Sequence, residues 1–516
     1  MPTLDHLADR HVVIDKRPGQ YAAFPDVCVS AEGRLFCVYR EADKHVASRS
    51  MLLLRESADS GKTWGDIRIL DARQGHCPRI SRLSDDALVV VEDMNRSLYL
   101  SYDHGRTFAV RPLDGPSLPI PDRILEIDPE TWLTTAHTHR GTHPLPKTGQ
   151  ARTEQMVCRC GRGGADFGHL SVLASDPCLM LCEASMARLP DGRILALLRE
   201  NSMVYEPMYA CVSEDEGRTW SQPMPTPLIG HRPCLGVTDA GNLLATYRNV
   251  GPDGGVAAWT GGLDELLTDF AVHGRTPSKD NPRLTGEGLV IENEAGPMAC
   301  ARYCLRPLTD PEYAEARLAC EVRVDAADKD GCGLRFGGLW WRFFPDRIEP
   351  ENLPPIPLEP LLEGAFHALS FHYKNGKTAL SVDGKRQAAV AADPKSAATR
   401  GVVFGTVSPY EDNGGRHVWK SLTHRVIEPR YGRDYRFDWN FTMGMPDAWA
   451  RKNVLELAND RFAAAMDYGY SGWTGLPDGR FFCVYHLGGA TGEDYQPGLS
   501  SHIRGTFIEP GDFSGA

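Results

Sequence analysis

Polar residues able to grip an anion or carry a proton recur in this chain at a fixed spacing. Six pairs of positions lie fifteen residues apart: Pro25 and Arg40, Pro78 and Asp93, Asp122 and His137, Ala184 and Arg199, Pro233 and Arg248, Ser471 and His486. At or beside them stand Arg40, Arg79, Asp93, His137, Glu183, Arg199, His231, Arg248, Tyr470 and His486. A guanidinium meets a carboxylate through two parallel hydrogen bonds, while imidazoles and phenols bond hydroxyl groups. Brought to one place, such a set suits recognition of a hydroxylated, anionic sugar.

The spacing also predicts what positions these groups. Each pair brackets an apolar strand, a tight turn and a second apolar strand, as in Pro25-Asp-Val-Cys-Val-Ser-Ala-Glu-Gly-Arg-Leu-Phe-Cys-Val-Tyr39-Arg40. A hairpin returns to the end at which it began, so the bracketing residues of all six share one face. The first five hairpins begin at intervals of roughly 45–60 residues, the period of propeller blades. The sixth follows a much longer gap. That gap holds strand-like runs of its own, including Leu318-Ala-Cys-Glu-Val-Arg-Val and Gly333-Leu-Arg-Phe-Gly-Gly-Leu-Trp-Trp-Arg, interrupted by a proline-rich loop over 350–360. The expected organisation is propeller blades over 1–285, an inserted β-domain over 286–430, and the last blade with ring closure over 431–516. The late strand Ser501-His-Ile-Arg-Gly-Thr-Phe-Ile is expected to pair with the early His11-Val-Val-Ile and so close the ring.

Three further segments repeat the pattern Ser-x-Asp-x-Gly-x-Thr-aromatic, beginning at Ser57, Ser101 and Ser213. Asp and Ser bond the local backbone, Gly takes a positive φ, and the aromatic anchors the turn between neighbouring sheets. These segments resemble the Asp-boxes of the sialidase (neuraminidase) and BNR-repeat superfamily. The run 367–385, ending in Val-Asp383-Gly384-Lys, resembles paired strands of laminin-G or concanavalin-like lectin domains. The resemblance implies an all-β chain: a six-bladed, sialidase-like β-propeller with an inserted, lectin-like β-sandwich of the jelly-roll type.

It also implies roles. Glu183-Ala-Ser-Met-Ala-Arg-Leu-Pro-Asp-Gly-Arg-Ile-Leu-Ala-Leu-Leu-Arg199 resembles the family segment that carries a catalytic Glu and a carboxylate-binding Arg, and Gly469-Tyr470-Ser471 resembles the segment of the nucleophilic Tyr. The family's acid/base Asp follows the first hairpin, where this chain offers Asp43. At the first blade the family has Arg-Ile-Pro and this chain has Ala23-Phe24-Pro25, so Arg40 and Arg248 become the candidates to complete the carboxylate grip with Arg199. The implied activity is that of an exo-acting glycoside hydrolase on an acidic terminal sugar. A polysaccharide lyase using His and Tyr on a uronate, and a carbohydrate-binding protein without catalysis, are the other readings.

Composition narrows the remaining partners. A net charge of -12 and the lack of a basic stripe argue against nucleic acid, and no apolar run approaches a membrane span. The opening Met1-Pro2-Thr3-Leu4-Asp5-His6 shows no basic region followed by an apolar stretch, so a cytoplasmic location is expected unless a leader was removed. The 14 Cys are scattered, many in apolar strands, and Cys158-x-Cys160 lacks zinc-site spacing. Reduced core thiols with no metal or cofactor are expected.

Overall fold

The computed structural model describes residues 2–144, 151–202, 204–278, 280–296, 299–358, 364–408, 413–430, 432–460, 467–488 and 501–513. Six four-stranded antiparallel sheets form a six-bladed β-propeller. The first blade runs through Tyr21–Val29, Leu35–Ala42, Ser50–Ser57 and Arg68–Asp71, and each later blade repeats that order. Its first two strands are buried almost throughout, because both faces pack on neighbouring blades. Closure is by strand exchange: His11–Asp15 pairs with His502–Ile508, placing His11 opposite Thr506, so the start of the chain completes the sixth blade.

The Ser-x-Asp-x-Gly-x-Thr boxes form the turns that join the third and fourth strands of the first, second and fourth blades. In the second blade the Asp103 carboxylate accepts from the Thr107 amide at 2.9 Å and its hydroxyl at 2.6 Å, while the Ser101 hydroxyl accepts from the Gly105 amide at 2.8 Å. Gly105 has φ +85°, and a Cβ there would collide with the Phe36 ring of the first blade. Gly61 of the first-blade box lies against Phe482 of the sixth in the same way. The glycine therefore serves two needs, a left-handed turn and close approach of the next blade.

The long gap between the fifth and sixth hairpins folds as two sheets. One has seven strands and begins with His273–Arg275 and Arg302–Leu305; the other has eight and is built on Glu315–Ala327 and Gly415–Ile427. Trp341, Phe371, Phe404 and Trp419 fill the space between them. Of the adjacent pair Trp340 and Trp341, only Trp341 is in this core. The two sheets span His273 to Asn440, wider than the 286–430 expected from the sequence. They leave the propeller inside the fifth blade, after its third strand Gly255–Gly261, and return to its fourth strand, Val454–Asn459. The sequence places the inserted domain ahead of the last blade, and the structure seats it within the fifth. Among the described residues no helix is long and apolar enough to cross a membrane, and all 14 Cys are buried.

Candidate active site

One local device delivers the central side chains. The inner strand of the first, fourth and fifth blades breaks register between Ala23 and Asp26, Cys182 and Ser185, and His231 and Cys234. At each break one bulky residue takes a left-handed backbone: Phe24 (φ 55°), Glu183 (φ 48°) and Arg232 (φ 46°). A bulge ejects a residue from the ladder and re-aims it, and non-glycine residues hold such φ values only where surrounding structure imposes them. Here all three side chains meet groups from other blades.

Glu183 meets Tyr470. The phenol donates to the Glu183 carboxylate at 3.0 and 3.2 Å, and Arg199 Nη1 donates to that carboxylate at 2.8 and 2.9 Å and to the phenol oxygen at 2.8 Å. All three side chains are buried. Arg199 Nη2 is held by Asn201, so this guanidinium is largely committed to the protein. Two other cations are not. Arg248 lies 5.7 Å above the Tyr470 ring and 5.8 Å above Tyr468. Arg40 lies 5.6 Å above Phe24 and 5.9 Å above Tyr21, and its Nε and Nη1 find no hydrogen-bond partner among the described residues. Neither has an ion pair among the described residues, although Arg40 is 3% and Arg248 6% exposed.

The field of these cations sets the protonation states. Burial would raise the Glu183 carboxyl, but the Arg199 and Arg232 guanidinium groups outweigh it, with His137 adding to them, and hold it at about 2. Burial first, and then the Glu183 charge, push the Tyr470 phenol well above its ordinary value. Burial, reinforced by Arg199 and Arg248, keeps His231 neutral. The Glu183 shift has a consequence for the whole molecule. Its pKa falls from 4.5 to about 2 on folding, so its stabilisation is complete above about pH 5 and is lost as pH falls through that interval. Near two and a half units, this is worth about 3 kcal/mol. Denaturant unfolding at pH 7 and pH 3 should show about 2 kcal/mol of that loss in the wild type and a shallower acid slope in Glu183→Gln; equal slopes would mean that Glu183 is not the titrating group.

A second cluster gathers around Phe24, and its His486 ring is 5.9 Å from that of Tyr470. The Phe24 ring is 5.0 Å from Tyr470, 5.2 Å from His486, 5.3 Å from His76 and 5.6 Å from His45, centroid to centroid. Asp467 accepts from His45 Nδ1 at 3.0 Å and from the Tyr21 phenol at 2.8 Å, and lies 3.5 Å from His486 Nε2. Burial opposes its charge, but the hydrogen bond from His45 and the nearby His486 ring hold its carboxyl well below the usual range.

The remaining sequence candidates fall elsewhere. Asp43 is turned into its own loop, accepting from the Ser48 hydroxyl at 2.7 Å and from the Ser48 and Arg49 amides. Ser48 and these amides lower its carboxyl to about 2, which leaves it poorly suited to donate a proton near neutrality. Arg79 is 3% exposed, donates to the Ser471 carbonyl at 2.8 Å and sits 3.7 Å from Asp26; it ties blades together instead of facing the mouth. Asp93 accepts from His76 Nδ1 at 2.8 Å and from the Cys77 and Ile120 amides, so it fixes the start of the second blade. Sequence reasoning missed Phe24, Tyr21, His45 and Asp467. The Phe24-Pro25-Asp26, Ile120-Pro121-Asp122 and Arg232-Pro233 repeat was the available signal for the bulges, since Ile120 also has a positive φ of 49°.

No protein-family model and no curated protein matches the chain. Among solved structures it is similar to a protein of unknown function from Dyadobacter fermentans, at 13% identity over 97% of this chain and 98% of that one, with a TM-score of 0.50. It is also similar to Trypanosoma rangeli sialidase, at 11% identity over 78% of this chain and 90% of that one with a TM-score of 0.32. A xylan β-1,4-xylosidase from Bacillus halodurans matches at 10% identity over 81% of this chain and 100% of that one, with a TM-score of 0.32. At identities this low the likeness is one of fold alone, and the chemistry rests on the residues this chain places at the axis.

Proposed function

We propose that the protein is an exo-acting glycoside hydrolase that removes an acidic terminal sugar through a covalent Tyr470 intermediate. The observation that carries this reading is the buried Tyr470, Glu183 and Arg199 triad flanked by Arg40 and Arg248, two cations without a carboxylate among the described residues. An unpaired buried guanidinium is costly, and an incoming carboxylate would relieve both at once.

In the first step the Tyr470 oxygen bonds to the anomeric carbon, its proton passes to Glu183, and the glycosidic bond breaks as the departing oxygen receives a proton. In the second step water gives up a proton to the group that protonated the departing oxygen, attacks the same carbon and displaces Tyr470, which recovers its proton from Glu183. A carboxyl held near 2 is a weak base for a phenol. An anionic sugar changes that, because its charge cancels part of the arginine field that depresses Glu183. Substrate binding thereby raises the basicity of Glu183 when it is needed.

We assign the leaving-group proton to His45 in place of Asp43. Its Nδ1 is occupied by Asp467, leaving Nε2 for a ligand, and its side chain is 53% exposed beside the Phe24 ring. One observation favours a second reading, a lyase: His231 is a neutral imidazole between Arg199 and Arg248, the form that could take a proton beside a uronate carboxylate.

Purified protein assayed against aryl and natural glycosides of sialic acids, 2-keto-3-deoxy sugars, uronic acids and rhamnose decides between them. Released reducing sugar from an acidic glycoside supports the hydrolase. Products absorbing as unsaturated uronides support the lyase, and binding without turnover leaves a carbohydrate-binding protein.

A further inference from the structure

The eight-stranded sheet of the inserted body turns one face to the core and the other to solvent. Along Glu315–Ala327 every second residue from Ala316 to Val322 is buried, and the residues between them point outward. The outward face carries an arrangement that a sheet ordinarily avoids. Strand register sets Arg436 opposite Arg425, Arg425 opposite Arg317, and Arg317 opposite His372. Three arginines and an imidazole thus form one row across four adjacent strands, about 14 Å from end to end at the usual strand spacing. Like charges placed directly opposite each other destabilise a strand pair.

Local carboxylates balance only part of this row. Glu315 is shared by Arg317, His372 and Lys374, and Asp438 pairs with Arg436. Arg425 has no ion pair among the described residues, and neither does Arg386 at the far side of the same face. The next row runs from Asp438 through Thr423, Ala319, Ser370 and Ser381, in register with one another, and ends on Arg386. Small side chains there leave a trough of about 650 Å³ beside the cations. The chain as a whole carries a net charge of -12, so a cationic row is a local inversion of the prevailing sign.

We propose that this face binds an acidic glycan laid across the strands, its sugar carboxylates on Arg436, Arg425 and Arg317 and its hydroxyls on Thr423, Ser370 and Ser381. Paired guanidinium and hydroxyl rows match the alternating carboxylates and hydroxyls of a polyuronate. The site is independent of the propeller's chemistry and would serve a binding protein as well as a hydrolase.

The test is calorimetric titration of the full chain, as the Tyr470→Phe variant to prevent turnover, with oligogalacturonate at low and high salt. The expected result is salt-sensitive binding that weakens at least about tenfold in Arg425→Ala/Arg436→Ala, and by less than about threefold in Arg425→Lys, with no binding of a neutral glucan oligomer. The Lys variant also guards against a folding defect, since both variants should melt with the parent. Unchanged affinity in the double variant would overturn the proposal. Equal binding of the neutral glucan, or tighter binding of a single-stranded oligonucleotide of equal charge, would do the same.

Discussion

Replacing Tyr470 by Phe should lower kcat/KM on the acidic glycoside by at least about a thousandfold, roughly 4 kcal/mol of transition-state stabilisation. The substitution removes a single oxygen that donates to Glu183 and accepts from Arg199. The ring remains between Phe24 and Arg248, so ligand affinity should change little. Loss of turnover with retained binding is the signature of a lost nucleophile, whereas a structural role would weaken both. Glu183→Gln should also abolish most turnover, because the amide cannot take the phenol's proton. A mass increment equal to one sugar, trapped on the wild type by a slow substrate and absent from Tyr470→Phe, would place the bond on this oxygen. Turnover within about tenfold of wild type in Tyr470→Phe would exclude the covalent route and return attention to His231.

How far the site could be read from the sequence follows from how local each of its causes is. The hairpins were legible because strand alternation and turn chemistry are written within about sixteen consecutive residues. The boxes were legible because Ser, Asp, Gly and Thr act on one another's backbone within a single turn. Ring closure needed only two strand-like ends. The fifth blade's outer strand was not legible. Val454–Asn459 is six apolar-leaning residues with nothing local to say that its partner, Gly255–Gly261, lies on the far side of an inserted body.

The site divides along the same line. Tyr470 and Glu183 open their hairpins, so a shared face brings them within reach. Depth along the axis is a different matter, because a hairpin end does not tell whether a side chain rises to the mouth or sinks between blades. Arg79 sinks to Asp26 while Arg248 lies over Tyr470. Asp43 looked suitable from its loop, but the donors that occupy it are supplied by the turn's three-dimensional course. The contact between His45 and Asp467 joins residues 422 apart in sequence, which no pattern of spacing expresses. Phe24 and Arg232 precede prolines, a position that favours extended backbone; their left-handed φ values come from packing at the axis.

The ring itself hangs on a charge buried below the site, and Asp26→Ala should cost about 3–5 kcal/mol of unfolding free energy. Asp26 is fully buried. It accepts from the Ile80 amide of the second blade at 2.9 Å and from Arg123, before the third blade, at 2.9 Å, with Arg79 at 3.7 Å. Arg123 also donates to the Val27 and Trp473 carbonyls, both at 2.9 Å. A Cβ on Gly472 of the sixth blade would overlap the Asp26 carboxylate, so that glycine is what admits it. One carboxylate therefore ties the first blade to the second and to Arg123, which reaches on to the sixth. Without it the buried Arg79 and the half-buried Arg123 lose their nearest carboxylate, which costs more than the bonds themselves contributed. Asp26→Ala/Arg123→Ala should be less destabilised than the sum of the two single variants, because the second substitution removes a charge that the first left unpaired. Urea unfolding of the three variants measures both quantities. A loss below about 1 kcal/mol in Asp26→Ala, or strict additivity, would mean that blade packing alone holds the ring.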